Sequence, residues 1–503
     1  MRWRLGGPAV MIALTMVGTS SVPAIVEARR LTFLETWAVA LPDRGAPVAL
    51  SSPNLAVLGG GPAVVVGDLA GHVYALSLAK GSAVPGWPVS TSGAPVESTP
   101  SVAALTPGSR ADTIFVGVGS AAKPHSGGYE AFNPDGSERW FVRAYESLYG
   151  GPRRTEAVQA STTVGNIQGS LDVVAPSLGQ EEYALNASTG AVLRGFPWFT
   201  SDSGFSTPAL ADLYGNGKIE IIEGSDQTQG ASFGVAETRG GHLRVLAPTG
   251  NLGTRSPSGG LKCQYNTDQV VQSSPAVGPF LARGAEGIVV GTGTFWPHAT
   301  ATDKLFAFNA RCRVIWVKRL DGATTPSPAL ADLMGNGHLD VVEGTYNGPG
   351  RGSVYALSGP TGAVLWYQRM PAEVIGSVVT ADLGAGYQDV IVATTDGAEV
   401  LDGRTGEPEA FLAPGEGLQG SPLVTDDPNG TLGVTLAGYN GYHQGLVEHY
   451  ELKGSNGAEV DQVGAWPMFH HDPQLSGNAA TPLSGLQGRP AAKPRRPSWD
   501  GPA

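Results

Sequence analysis

The stretch STPALADLYGNGKIEIIEG, residues 206–224, recurs as PSPALADLMGNGHLDVVEG, residues 326–344, and these two copies decide how the chain is read. Each opens with small hydroxyl residues and proline, turns at Asn-Gly, and ends in a β-branched run. Runs of four to eight such residues, punctuated by glycine, predict strands and not helices. Looser copies begin at Ser51, Ser98, Ser161, Ser273, Gly376 and Gly420, giving eight units in all.

Each unit continues with a third element, such as HVYALSLAKG (72–81), EEYALNASTG (181–190) or SVYALSGPTG (353–362). Several add a fourth that carries an aromatic residue: SERWFV (137–142), RVIWVKRL (313–320) and AVLWYQRM (363–370). Four short strands per unit make a propeller blade. The markers Pro53, Pro100, Thr163, Pro208, Pro275, Pro328, Val378 and Pro422 lie between 44 residues apart (Val378 to Pro422) and 67 apart (Pro208 to Pro275), which suits blades with loops of varied length. The expectation is an all-β chain forming a single β-propeller of about eight four-stranded blades, with seven as the alternative count. A ring must protect its seam from stray edge pairing. LTFLETWAVAL from Leu31, with Trp37 in the aromatic place, is expected to complete the last blade; GAWPMFHHD near Trp466 is the other candidate.

Composition agrees with many turns. Glycine supplies 72 of 503 residues, about twice the usual share, and charged residues only 15%. The net charge of -12 and the absence of a basic stripe argue against nucleic acid as a partner. Residues 1–28, with Arg2 and Arg4 ahead of an apolar run and Val26-Glu27-Ala28 behind it, read as a secretory signal peptide. No later run is long enough to span a bilayer. The protein is therefore expected to be secreted and extracellular, or periplasmic or associated with the cell surface, and monomeric. In an oxidising compartment Cys263 and Cys312 are expected to pair. The propeller is assigned to residues 29–477, and 478–503 to an unstructured Pro/Gly/Ala-rich tail.

The two quoted copies resemble the FG-GAP/VCBS repeat family of integrin-like, secreted bacterial propellers. VYALSGPTGAVLW from Val354 is similar to the tryptophan-docking repeat of pyrroloquinoline-quinone-type propellers. In the FG-GAP family the loop between the first two strands often binds calcium. Carried over, the resemblance implies Asp212, Asn216 and Glu220 with the Lys218 carbonyl in one loop, and Asp332, Asn336 and Asp340 with the His338 carbonyl in the other. The third loop position departs from the pattern, since Tyr214 and Met334 supply no useful oxygen. Asn216-Gly217 and Asn336-Gly337 equally suit a plain two-residue hairpin turn.

In an up-and-down blade, the connection from strand two to strand three shares a face with the blade-to-blade connections. The longer of these carry Phe233, Phe295, Trp296, His298, Tyr346, Tyr439, Tyr442 and His443. Aromatic residues on loops held by a rigid scaffold favour binding, so this face is expected to take a protein or glycan partner. His470, His471 and Asp472 could be read as metal ligands, but neighbours on a strand point apart, which favours packing around Trp466 and Phe469.

No catalytic residue is assigned. The chain has no adjacent cysteine pair, no Cys-x-x-Cys-His, no Gly-x-Ser-x-Gly and no His-Glu-x-x-His. The reading is thus a non-catalytic binding or adhesion scaffold. A quinone-dependent dehydrogenase-like enzyme and a calcium-dependent polysaccharide-degrading enzyme are the alternatives.

Overall fold

The computed structural model describes residues 29–483, apart from 44, 107, 110, 147–153, 229–238, 253–258, 414, 456–459 and 461–463. The signal-like residues 1–28 and the tail beyond 483 lie outside the described residues. Eight antiparallel sheets follow one another along the chain. Each contributes one blade of four strands, and blade two adds the short strand Thr155–Glu156. The innermost strands are mostly short, and alanine, serine, threonine and valine alternate in them with an occasional leucine, as in Ser101–Ala103, Ala209–Ala211, Ala329–Ala331 and Val379–Ala381. Small side chains let eight strands converge on one axis. Among the described residues no helix is long and apolar enough to cross a membrane.

The last blade is made from both ends of the chain. Phe33–Ala40 pairs with Gly445–Leu452 in a register running from Phe33↔Leu452 to Ala40↔Leu446. Val64 and Val66 of blade one and Val434 and Leu436 of blade eight share one apolar cluster across this closure. The clasp expected from Leu31 onward is thus the one that forms.

The other candidate, around Trp466, does something different. It runs around the axis and pairs with the free edges of the innermost strands. Gly464 accepts the Asp332 N–H (3.1 Å), Trp466 exchanges two bonds with Thr380 (2.8 and 3.1 Å), and Pro467 accepts the Val424 N–H (2.8 Å). Pro473 then accepts Asn54 Nδ2 (2.9 Å) and the Val102 N–H (2.9 Å). Gln474, Ser476 and Gly477 accept the N–H groups of Val164, Leu210 and Val277 (2.9, 2.9 and 2.8 Å). The segment therefore visits blades six, seven, eight, one, two, three, four and five in turn. It continues past residue 477, since the Ala479 N–H returns to the Val277 carbonyl (2.9 Å). Backbone groups facing a buried axis need partners, and this segment supplies them.

Blades are joined to their neighbours by a repeated bond from the outermost strand. Indole N–H groups donate across the seam to backbone carbonyls: Trp37 to Leu78, Trp87 to Pro134, Trp140 to Ala187, Trp198 to Gly259, Trp316 to Gly359 and Trp366 to Gly403. Gly362 and Gly406 accept these rings because they lack a Cβ and take φ of +67° and +74°. A Cβ would come within 2.7 Å of Trp316 and 2.5 Å of Trp366. In blade four the same register position, opposite Val245, holds Cys263, and the expected disulfide to Cys312 joins blades four and five. In blade seven the position, opposite Val400, is Ala410. There the incoming chain acts instead: Arg29 pairs with Glu409 (2.8 Å) and Asp389 (2.5 Å) before entering blade eight.

Replacing Trp366 with Phe keeps a smaller aromatic ring and removes the donor, leaving the Gly403 carbonyl unmatched. The expected cost is about 1–3 kcal/mol, read as a lower urea midpoint with unchanged slope. Burial pushes the Asp389 carboxyl up to about 7, with Arg29 pulling against it. Arg29→Ala strands both carboxyls and is expected to cost about 2–3 kcal/mol at pH 8, discounted from the fully buried range because Arg29 is part exposed. The folded protein then binds more protons than the unfolded chain, so stability rises as pH falls. The deficit of Arg29→Ala should therefore shrink between pH 8 and pH 5 in parallel denaturation series.

Candidate binding face and axial funnel

At the end of the ring where blade-to-blade connections enter the innermost strands, the recurring Ser/Thr residues hold one another. The Ser52 N–H donates to Thr99 Oγ1 (3.0 Å), and the Thr99 N–H to Ser161 Oγ (2.8 Å). Thr207 donates to Ser274, Ser274 to Ser327, Ser327 to Ser377, Ser377 to Ser421 and Ser421 to Ser52, all between 2.8 and 3.0 Å. The hydroxyl motif read as a repeat marker is therefore a hydrogen-bonded collar.

Two residues before each collar hydroxyl stands one side chain per blade: Leu50, Glu97, Gln159, Phe205, Gln272, Thr325, Ile375 and Gln419. Together with the collar they line a funnel of about 140 Å³, and Phe469 of the axial segment forms part of its wall. By volume this is room for a few waters or one small group. Glu97 is its one ionisable lining residue, and burial pushes that carboxyl up to about 7. The glutamines tie the funnel to the loops outside it. Gln272 Nε2 donates to Asp226 (3.1 Å), Gln419 Nε2 donates to the Tyr439 hydroxyl (3.2 Å), and Gln159 Oε1 accepts the Ala121 N–H (2.9 Å). Burial pushes the Asp226 carboxyl up to about 8, with the Gln272 bond opposing it.

The funnel was not picked out from sequence, although its residues occupy a constant offset from the repeat marker. Their types vary from blade to blade, and only the ring makes them neighbours.

The aromatic loop residues form two groups. On blade five, Phe295 is 67% exposed and stands edge-on to Trp296 at 5.0 Å. The Trp296 backbone is pinned by Gln269, which accepts its N–H (2.9 Å) and donates to its carbonyl (3.0 Å). Arg239 lies over the indole at 5.5 Å, and His298 is exposed nearby in sequence. On blade eight, Tyr439 contacts His443 at 5.6 Å and Tyr442 is 91% exposed. Tyr346 on blade six is half-buried and exchanges backbone bonds with Ala323. Phe233 lies outside the described residues.

The loops considered for calcium lie at the opposite end of the ring. Asp212 accepts the N–H groups of Asn216 (2.9 Å) and Gly217 (2.7 Å), and Asp332 those of Asn336 (2.9 Å) and Gly337 (2.7 Å). Asn216 and Asn336 in turn accept from Lys218 and His338. Glu220 accepts the Leu213 N–H, and Asp340 faces the Gly359 N–H. Five of these side chains thus serve their own turns, while Asp340 faces the loop that follows the third strand of its blade. Among the described residues, the acids grouped closely enough to ligate one ion are Asp389, Asp402 and Glu409, and Arg29 already pairs with two of them.

The two adjacent histidines diverge. His470 lies between the Leu475 and Pro275 carbonyls (2.6 and 3.1 Å), and burial pushes it down to about 4. His471 contacts Asp472 and the edge of Trp466.

No protein-family model and no curated protein sequence matches the chain. Solved structures do. The likeness is one of fold. BamB from Moraxella catarrhalis aligns at TM-score 0.51 and 14% identity, over 84% of this chain and 100% of that one. Quinohemoprotein alcohol dehydrogenase from Comamonas testosteroni aligns at 0.55 and 14%, over 83% and 76%. Saccharomyces cerevisiae Sqt1 aligns at 0.54 and 11%, over 84% and 98%.

The dehydrogenase likeness raises the question of a quinone on the axis. Pyrroloquinoline quinone is a polycarboxylate and needs cationic partners. The funnel lining offers no Lys or Arg and adds the carboxyl of Glu97, so its residues do not fit that group. The expected signature of this electrostatic setting is a carbon-13 carboxyl titration with a midpoint near 7 that disappears in Glu97→Gln.

Proposed function

We propose that this protein is a secreted, non-catalytic binding scaffold that presents the long-loop face and its funnel to a protein or glycan partner. The observation that carries this reading is the coupling of funnel to loops. Gln272 and Gln419 line the recess and hydrogen-bond Asp226 and Tyr439, which stand at the ends of the long connections. A rigid collar with a recess at its centre and exposed aromatics around it provides the anchor and rim that binding faces use. The Phe295–Trp296 pair on blade five and Tyr442 on blade eight then supply contact area at two places around the recess.

The test is a screen of the purified chain against a glycan array and isolated cell-surface proteins, with and without calcium. Any ligand found should bind at least about tenfold more weakly to the Trp296→Ala/Tyr442→Ala double variant, with unchanged melting. Equal affinity of the variant would remove the proposed face.

A further inference from the structure

Resting on the reading of the funnel face as a binding surface, we propose that the funnel is a site for one cationic group, an alkylammonium or guanidinium, centred on Glu97. The ring of side chains that lines it contains one carboxyl and no Lys, Arg or His. Among the described residues Glu97 makes no hydrogen bond and no ion pair, although it is half-buried. A carboxyl in a partly desolvated recess without a counter-charge is a cost to the folded protein, and a cation with hydrogen-bond donors removes it. An anion would add to that cost.

Most of the rest of the lining has the same preference; Gln159, whose Oε1 accepts the Ala121 N–H, is the lining amide that keeps its nitrogen as a donor. Phe205 and Phe469 contribute rings to the wall, and aromatic faces attract ammonium and guanidinium groups. The amide nitrogens of Gln272 and Gln419 are committed to Asp226 and Tyr439, which leaves their carbonyl oxygens as acceptors. Acceptors, one carboxyl and two rings form the chemistry that takes a cation. The volume of about 140 Å³ matches the end of a single side chain and is too small for an oligosaccharide. The chain's net charge of -12 favours approach of cations.

The same chemistry could arrive as a free amine or as a Lys or Arg side chain of a protein partner, and one experiment separates them. The full chain is titrated calorimetrically with n-butylammonium, arginine amide, a short peptide with one central lysine, and n-butanol as the neutral control. The proposal expects saturable binding of the cations, none of n-butanol, and a loss of at least about tenfold in Glu97→Gln. Leu50→Trp, which fills the mouth and leaves the carboxyl in the chain, should also abolish binding. Tighter binding of the peptide than of n-butylammonium assigns the site to a protein side chain; equal or weaker binding assigns it to a free amine.

Wild-type protein that binds n-butanol as well as n-butylammonium overturns the proposal, as does Glu97→Gln with unchanged cation affinity. A partner found in the face screen that arginine amide does not displace and that binds Glu97→Gln unchanged rules out a side chain of that partner as the cation while leaving the scaffold reading intact. Cation binding that survives Trp296→Ala/Tyr442→Ala, when no partner depends on that pair, removes the loop-face reading and leaves the cation site standing.

Discussion

The seam between adjacent blades is the interaction on which everything else depends. A four-stranded sheet with one short inner strand cannot bury both faces alone, and a ring of eight sheets is only as continuous as its weakest junction. Here one geometry recurs: a donor on the outermost strand meets a carbonyl in the next blade. Where the tryptophan is missing, a different bond stands at the same place. Cys263 replaces it between blades four and five, and the Arg29 ion pairs serve the junction at Ala410. A covalent link, a neutral hydrogen bond and a charged pair thus perform one task.

Inside the ring the corresponding problem is the free edge of every innermost strand. The chain answers it at two levels. The collar of Ser and Thr hydroxyls ties the strand entries in one run from blade four through blades eight and one to blade three. Below it, the segment from Gly464 to Ala479 circles the axis and accepts the remaining N–H groups. The funnel is what remains above this segment, and Phe469 belongs to both. Its shape is therefore set by the end of the chain, while its chemistry is set by one residue from each blade.

This division explains how a repeat protein acquires a specific site. The collar is nearly uniform because it does the same structural work at seven junctions. Two residues upstream the positions are unconstrained by that work, and they diverge into Leu, Glu, Gln, Phe, Thr and Ile. Variation at a constant offset within a uniform frame is where recognition can reside.

The strand quartets, the eightfold count and the clasp from Leu31 were legible in the sequence, because glycine punctuation, β-branched runs and small hydroxyl starts are local signals. The pairing of Cys263 with Cys312 was the expectation for two cysteines in a chain read as secreted, and the aromatic loops followed from strand direction. The path of Trp466 to Ala479 was not legible, since nothing local distinguishes a strand that completes a blade from one that circles an axis. The funnel was hidden for a related reason: Glu97, Gln272 and Gln419 lie far apart in the chain and meet only when the torus closes. Local periodicity determined the blades; closure, which is a property of the whole ring, decided which residues face one another across its centre.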